Sequence, residues 1–155
     1  MTIIQALQEV NAAMSRPVTL IYADMSEANV DADTLVDSEM PINIVMPIVI
    51  TDAPSQGGLL KTTFDLNCFF LTKSENITVG YKSIEIENEC IAPMRRLARE
   101  FIFRLNEHGI IDATSLGILQ ITYTPAYSSM DANLFGVEVR ATVPVVEGIS
   151  GCNHG

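Results

Sequence analysis

Few side chains in this sequence belong to the types that carry chemistry, and their spacing assigns no reaction. There are two histidines, His108 and His154, and three cysteines, Cys68, Cys90 and Cys152. Cys152-Asn153-His154 places two metal ligands close together. A closed zinc site takes four, and no second cluster lies nearby, so a plain tail is the simpler reading. A nucleophilic cysteine needs a base and an electropositive setting. Cys68 alternates with Phe64, Leu66 and Phe70, which puts it on the apolar face of a strand. Cys90 falls near a helix start, which would lower its pKa, but no base can be named beside it. Glu85, Glu87 and Glu89 are alternate carboxylates, and a solvated face accounts for them as well as an acid–base pair would. Asp31-Ala32-Asp33 opens like a calcium loop, but Leu35 stands at the fifth position and no glycine follows at the sixth. The glycine patterns that cradle phosphates are absent. No catalytic residue, cofactor or metal is expected.

The most distinctive charges are arginines. Arg95, Arg96, Arg99 and Arg104 lie within Cys90–Asn106, in a chain whose formal net charge is −10. A solvated helix face with internal ion pairs is the plain explanation. The sharper one is that this face meets the acidic surface of a neighbouring copy. Asp31, Asp33, Asp37 and Glu39 are the complement, and opposite patches on one protomer suit a head-to-tail ring. These eight residues are the candidate subunit interface. His108, in the last turn of the same helix, suits the helix dipole and needs no further role.

These residues must be positioned by a fold, and the chain is long enough for one domain over residues 1–147 with a glycine-rich tail over 148–155. Hydrophobic residues make up 48% and charged ones 18%, so some apolar surface is expected to be covered by other subunits. The acidic balance excludes ordinary nucleic-acid binding, which needs a basic footprint. An acidic wall past which nucleic acid slides without sticking is compatible with it. The odd, unpatterned cysteines predict free thiols in a reducing compartment. The first residues lack the basic start of a signal peptide, and no apolar run reaches transmembrane length.

The central element is a long helix over Cys90–Asn106. Ile91, Met94, Leu97, Ala98, Phe101, Ile102 and Leu105 form one stripe. Asn88 is a plausible cap, Pro93 sits near the limit of the first turn, and Gly109 is placed to close the helix in the left-handed conformation. Thr2 and Gln5 have capping-box spacing for a first helix carrying Ile3, Ile4, Leu7, Val10 and Met14. Val18–Ala23 reads as a strand. Residues 24–40 hold acids, no base and neither period, which predicts a long acidic loop or arm. The apolar run 42–51 is broken by Pro47 and pairs as a hairpin with 60–72. A polar connection follows, with a helical turn at Ser83–Glu87. Strands over 116–127 and 134–146 close the chain. In the second, Phe135, Val137, Val139, Ala141, Val143 and Val145 alternate with polar or small residues. The class is α+β: a mainly antiparallel sheet packed on one face by one long helix and a short N-terminal helix.

This layout resembles the tail-terminator (tail-completion) proteins of long-tailed bacteriophages. The resemblance is carried by the short first helix, the apolar strand with a proline, the strand ending Phe69-Phe70-Leu71-Thr72, the helix containing Leu97-Ala98-Arg99-Glu100-Phe101-Ile102-Phe103-Arg104-Leu105, and two final strands. Met130–Val137 is similar to a turn and strand in virion proteins of Bacteroidetes phages and prophages. The acidic stretch 24–40 has no counterpart in that pattern. The resemblance implies a structural virion protein, not an enzyme, assembled in the host cytoplasm. It implies a ring, commonly of six copies, at the end of the tail tube. Its partners would be the tail tube protein on one side and a head-side neck or connector protein on the other, with DNA passing through the bore and no membrane involved. Other virion parts, such as a head-closure or tube-like protein, and a small α+β ligand-binding module or enzyme are the alternatives.

Overall fold

The computed structural model describes residues 1–24, 39–54, 60–73, 83–127 and 134–146. Helix α1 (Ile3–Ala12) leads to strand β1 (Thr19–Tyr22), then β2 (Ile42–Val45), β3 (Val49–Pro54) and β4 (Leu60–Lys73). A helical stretch runs without interruption through α2 (Ser83–Ile86), a π-helical turn (Glu87–Ile91) and α3 (Ala92–Asn106). Strands β5 (Leu119–Ala126) and β6 (Leu134–Val145) complete the order. The sheet is mixed and six-stranded, in the order β1-β2-β4-β6-β5, with β3 also paired to β4. Among the described strands, only β1 and β2 pair in parallel. The expected α+β class holds.

The hairpin 42–72 forms with a division that Pro47 imposes. β2 pairs with Cys68–Leu71 and β3 with Leu60–Asp65, so both lie end to end along one edge of β4. Proline lacks the N–H a ladder needs; Met46 N–H still bonds to the Asn67 carbonyl of β4, and the chain steps away at Pro47–Ile48 before returning. β4 and β6 form the long central pair, from Thr62 opposite Val145 to Lys73 opposite Leu134. Their alternation places Phe64, Leu66, Cys68 and Phe70 with Phe135, Val137, Val139 and Val143 on the helix side, all fully buried.

The stripe of α3 closes this core. Ile91, Met94, Ala98, Phe101 and Leu105 are at most 2% exposed. Phe101 meets Phe70 edge-on at 5.5 Å between ring centres. α1 lies beside α3, capped by Thr2 and Gln5 in a reciprocal capping box. A second cluster holds Ala23, Ile42, Ile44, Leu71 and Leu134. Ile42 and Ile44 face away from Asn43 and Val45, so β2 is buried on both faces.

Two expectations about the long helix are corrected. It starts at Ser83, so Asn88 is helical and caps nothing. Pro93 is accommodated by the wider turn before it, where the Ala92 N–H bonds to Glu87 O, five residues back. Gly109 does not take positive φ; Gly117, at φ 83°, is the one described glycine that does. The helix closes instead with tight Glu107 N–H to Arg104 and His108 N–H to Leu105 bonds. The expected acidic arm lies mostly outside the described residues, which include only its ends, Asp24, Glu39 and Met40. The tail 148–155 and the turn 128–133 also lie outside them.

Candidate functional site

The arginines of α3 are held in three different ways. Arg95 Nη1 donates to Glu87 Oε1 at 3.0 Å, across the π-helical turn. Arg104 Nε donates to Glu100 Oε1 at 3.1 Å, one turn back. Arg99 stacks its guanidinium over the Tyr123 ring, 5.6 Å from the centroid. Arg96 is exposed and has no ion pair among the described residues. Asp31, Asp33 and Asp37 lie outside the described residues. Glu39 is half-buried, and its backbone carbonyl accepts the Thr19 hydroxyl at 2.7 Å. Two of the four arginines are thus satisfied within the protomer, and a contact to a second copy through them requires an exchange of partners.

Glu100 does more than balance Arg104. The backbone N–H and the hydroxyl of Ser15 both donate to it at 2.7 Å. Burial raises its pKa, but the Ser15 and Arg104 hydrogen bonds outweigh that and hold it below the usual value. His108 forms a second link between the helices. Its Nδ1 accepts the Ile110 N–H at 3.1 Å, so in the neutral ring Nε2 carries the proton and donates to Glu9 at 2.7 Å. This is a helix-end contact rather than a catalytic arrangement.

The thiols behave as packing groups. Cys68 is fully buried, and burial, with the Glu138 charge adding to it, pushes its pKa far up. Cys90 is also buried and free of any disulfide. Among the alternate carboxylates, Glu87 holds Arg95 and Glu85 is exposed. Cys152 and His154 lie outside the described residues. Among the described residues, no group of three histidine, cysteine or acidic side chains could hold a metal ion, and no helix is long and apolar enough to cross a membrane.

The sheet face turned away from the helices was not singled out by the sequence. Strand register brings Asp65 opposite Thr142 and Asn67 opposite Arg140. The Thr142 hydroxyl donates to Asp65 at 3.3 Å, and Arg140 pairs with Glu138 at 3.3 Å. Together with Gln120 and Thr122 they line an open hollow of about 460 Å³. The alternation of β4 and β6 had assigned these residues to the outer face. Only the pairing of residues 70 to 80 positions apart assembles them, and no local signal carries that.

The rims of the sheet are the second feature missed. All of β3 is exposed, with Val49 at 59% and Ile50 at 36%. At the opposite rim Leu119 is 56% exposed, next to Leu116 at 87%. Comparison with protein-family models gives no match, and none of the curated proteins compared with the chain matches it.

Proposed function

We propose that this chain is a virion structural protein that forms an oligomeric ring at the head–tail neck or at the end of a phage tail tube. In that role it terminates the tube, joins it to the head side and leaves a bore for DNA. It is not an enzyme in this reading. The carrying observation is the one-sided slab: helices cover one face of the sheet, and two of its edge strands, β3 and β5, bear exposed apolar side chains. Such a slab joins copies head to tail, and a head-to-tail contact that closes makes a ring. The formal charge of −10 fits a bore that repels phosphates. The basic residues of α3 remain candidate contacts to a neighbour, with Arg96 the readiest of them.

The test is the mass of the purified protein by light scattering, with negative-stain images of the same fraction, alone and after adding tail tubes. A ring under either condition supports the reading. A monomer or dimer indifferent to tubes ends it. The polar hollow beside Asp65, Asn67 and Arg140 would then favour a ligand-binding module, to be tested by a small-molecule thermal-shift screen.

A further inference from the structure

Among the described residues, β3 is hydrogen-bonded to β4 on one side only, and β5 to β6 on one side only. An open edge presents unpaired N–H and C=O groups that template another strand. β5 is partly blunted by an irregularity between Leu119 and Thr122 and by Pro125, which leaves Thr122–Thr124 clear. β3 carries no lysine, and Asp52 is its one charge.

Polarity and side-chain parity of the two edges agree. β3, β4, β6 and β5 are successively antiparallel, so β3 and β5 run in opposite directions. A second copy added through its β5 in the same orientation therefore makes an antiparallel ladder and keeps its helices on the same face. On that face β3 presents Ile50 and Asp52, opposite Phe64 and Thr62. β5 presents Ile121 and Tyr123, which pack against the main core. Asp52 Oδ1 accepts the Thr62 hydroxyl at 2.6 Å, and Oδ2 has no hydrogen-bond partner among the described residues. Arg99 is the cation above Tyr123.

The offset of the edges has a consequence for shape. Measured along β4, the centres of β3 and β5 differ by about five to six residues, or about 18 Å. Four strands span about 19 Å laterally. Joining the edges thus requires a strand tilt of about 43°, inside the 35–45° range of closed barrels.

We propose that the β3 edge of one copy pairs antiparallel with the β5 edge of the next, with Asp52 facing Arg99 across the joint, so that the sheets close into one tilted barrel. This rests on the ring reading above and names the partner surface, a second copy of this chain.

The test uses full-length protein with Cys152→Ser. Chains carrying Thr51→Cys are mixed with chains carrying Thr122→Cys or Thr124→Cys and oxidised. These sites share the face away from the helices. A disulfide-linked heterodimer at least tenfold above either variant alone is expected. Asp52→Arg and Arg99→Asp should each weaken assembly at least tenfold, and the double reversal should restore it. Thermal melting checks that each variant is folded. Oligomers that form without cross-linking, and that ignore both reversals, overturn the edge pairing and leave the ring reading standing. A full chain that stays monomeric with and without tail tubes overturns both.

Discussion

At Gly136 on β6 the backbone of β4 leaves no room for a side chain. The glycine sits opposite Leu71, and a Cβ there would run into the Phe70 carbonyl oxygen and crowd the Leu71 backbone. Those atoms belong to the central strand pair and cannot move without breaking the ladder. Gly136→Ala is expected to cost about 3 kcal/mol in urea unfolding, the upper end for overpacking. A change within about 0.5 kcal/mol, the level of neutral surface substitutions, would mean that β4 and β6 separate easily at this point. Asn43 illustrates another single-residue constraint. It is fully buried, its Nδ2 donates to Asn11 Oδ1 at 3.2 Å, and Asn11 Nδ2 donates to the Val18 carbonyl at 2.8 Å. This relay ties α1 to β2 and to the residue that leads into β1. In the sequence Asn43 is merely the polar residue in an apolar run. Its partner lies 32 positions away, so nothing local announces the contact.

At the scale of elements, Glu100 is the clamp between α1 and α3. Its folded pKa is depressed, so the stabilisation it gives is present above the unfolded carboxylate value of about 4.3 and disappears as pH falls through the folded value. Glu100→Gln is expected to cost about 1 kcal/mol at pH 7, a modest figure for a solvent-accessible pair. Below the folded pKa, both side chains are neutral and the difference should vanish. Urea unfolding of the two proteins over a pH series falling from 7 measures it. A loss that stays constant as the pH falls would assign the effect to packing instead of charge. The elements themselves were largely legible. The 3.6-residue stripe of α3 predicted every residue that helix buries, and the alternation of β6 predicted the face it turns to the helices, but not the burial of Leu134 and Gly136 on the other face. The start of the long helix was not legible, since Pro93 and the polar run before it mimic a boundary. A π-helical turn absorbs the proline without ending the helix. The candidate arginines were correctly placed on its outer side, but their partners Glu87 and Tyr123 come from a distorted turn and a distant strand.

For the whole molecule, the parallel pairing of β1 and β2 gives residues 23–41 a task the sequence did not reveal. Parallel neighbours cannot be joined by a tight turn, so the chain must return from the end of β1 to the start of β2. That return is about 14 Å, one four-residue strand plus one interstrand spacing. Thr19 and Glu39, joined by their hydrogen bond, and Met40, packed in the second cluster, belong to the folded unit. Removal of all of 24–40 would therefore damage the sheet, so the replacement is confined to residues 25–38. A glycine–serine linker of about ten residues has a typical span near 17 Å and bridges the gap. It removes Glu27, Asp31, Asp33 and Asp37 and brings the formal net charge from −10 to −6. The expected outcome is a folded protein within about 1 kcal/mol of the parent, since loop closure depends weakly on length, with ring assembly weakened at low salt. Assembly unchanged by light scattering at low and high salt would remove the acidic stretch from the interface. An unfolded product would show instead that 25–38 contributes to the core over β2, and would explain why Ile42 and Ile44 are buried on the face the helices do not cover.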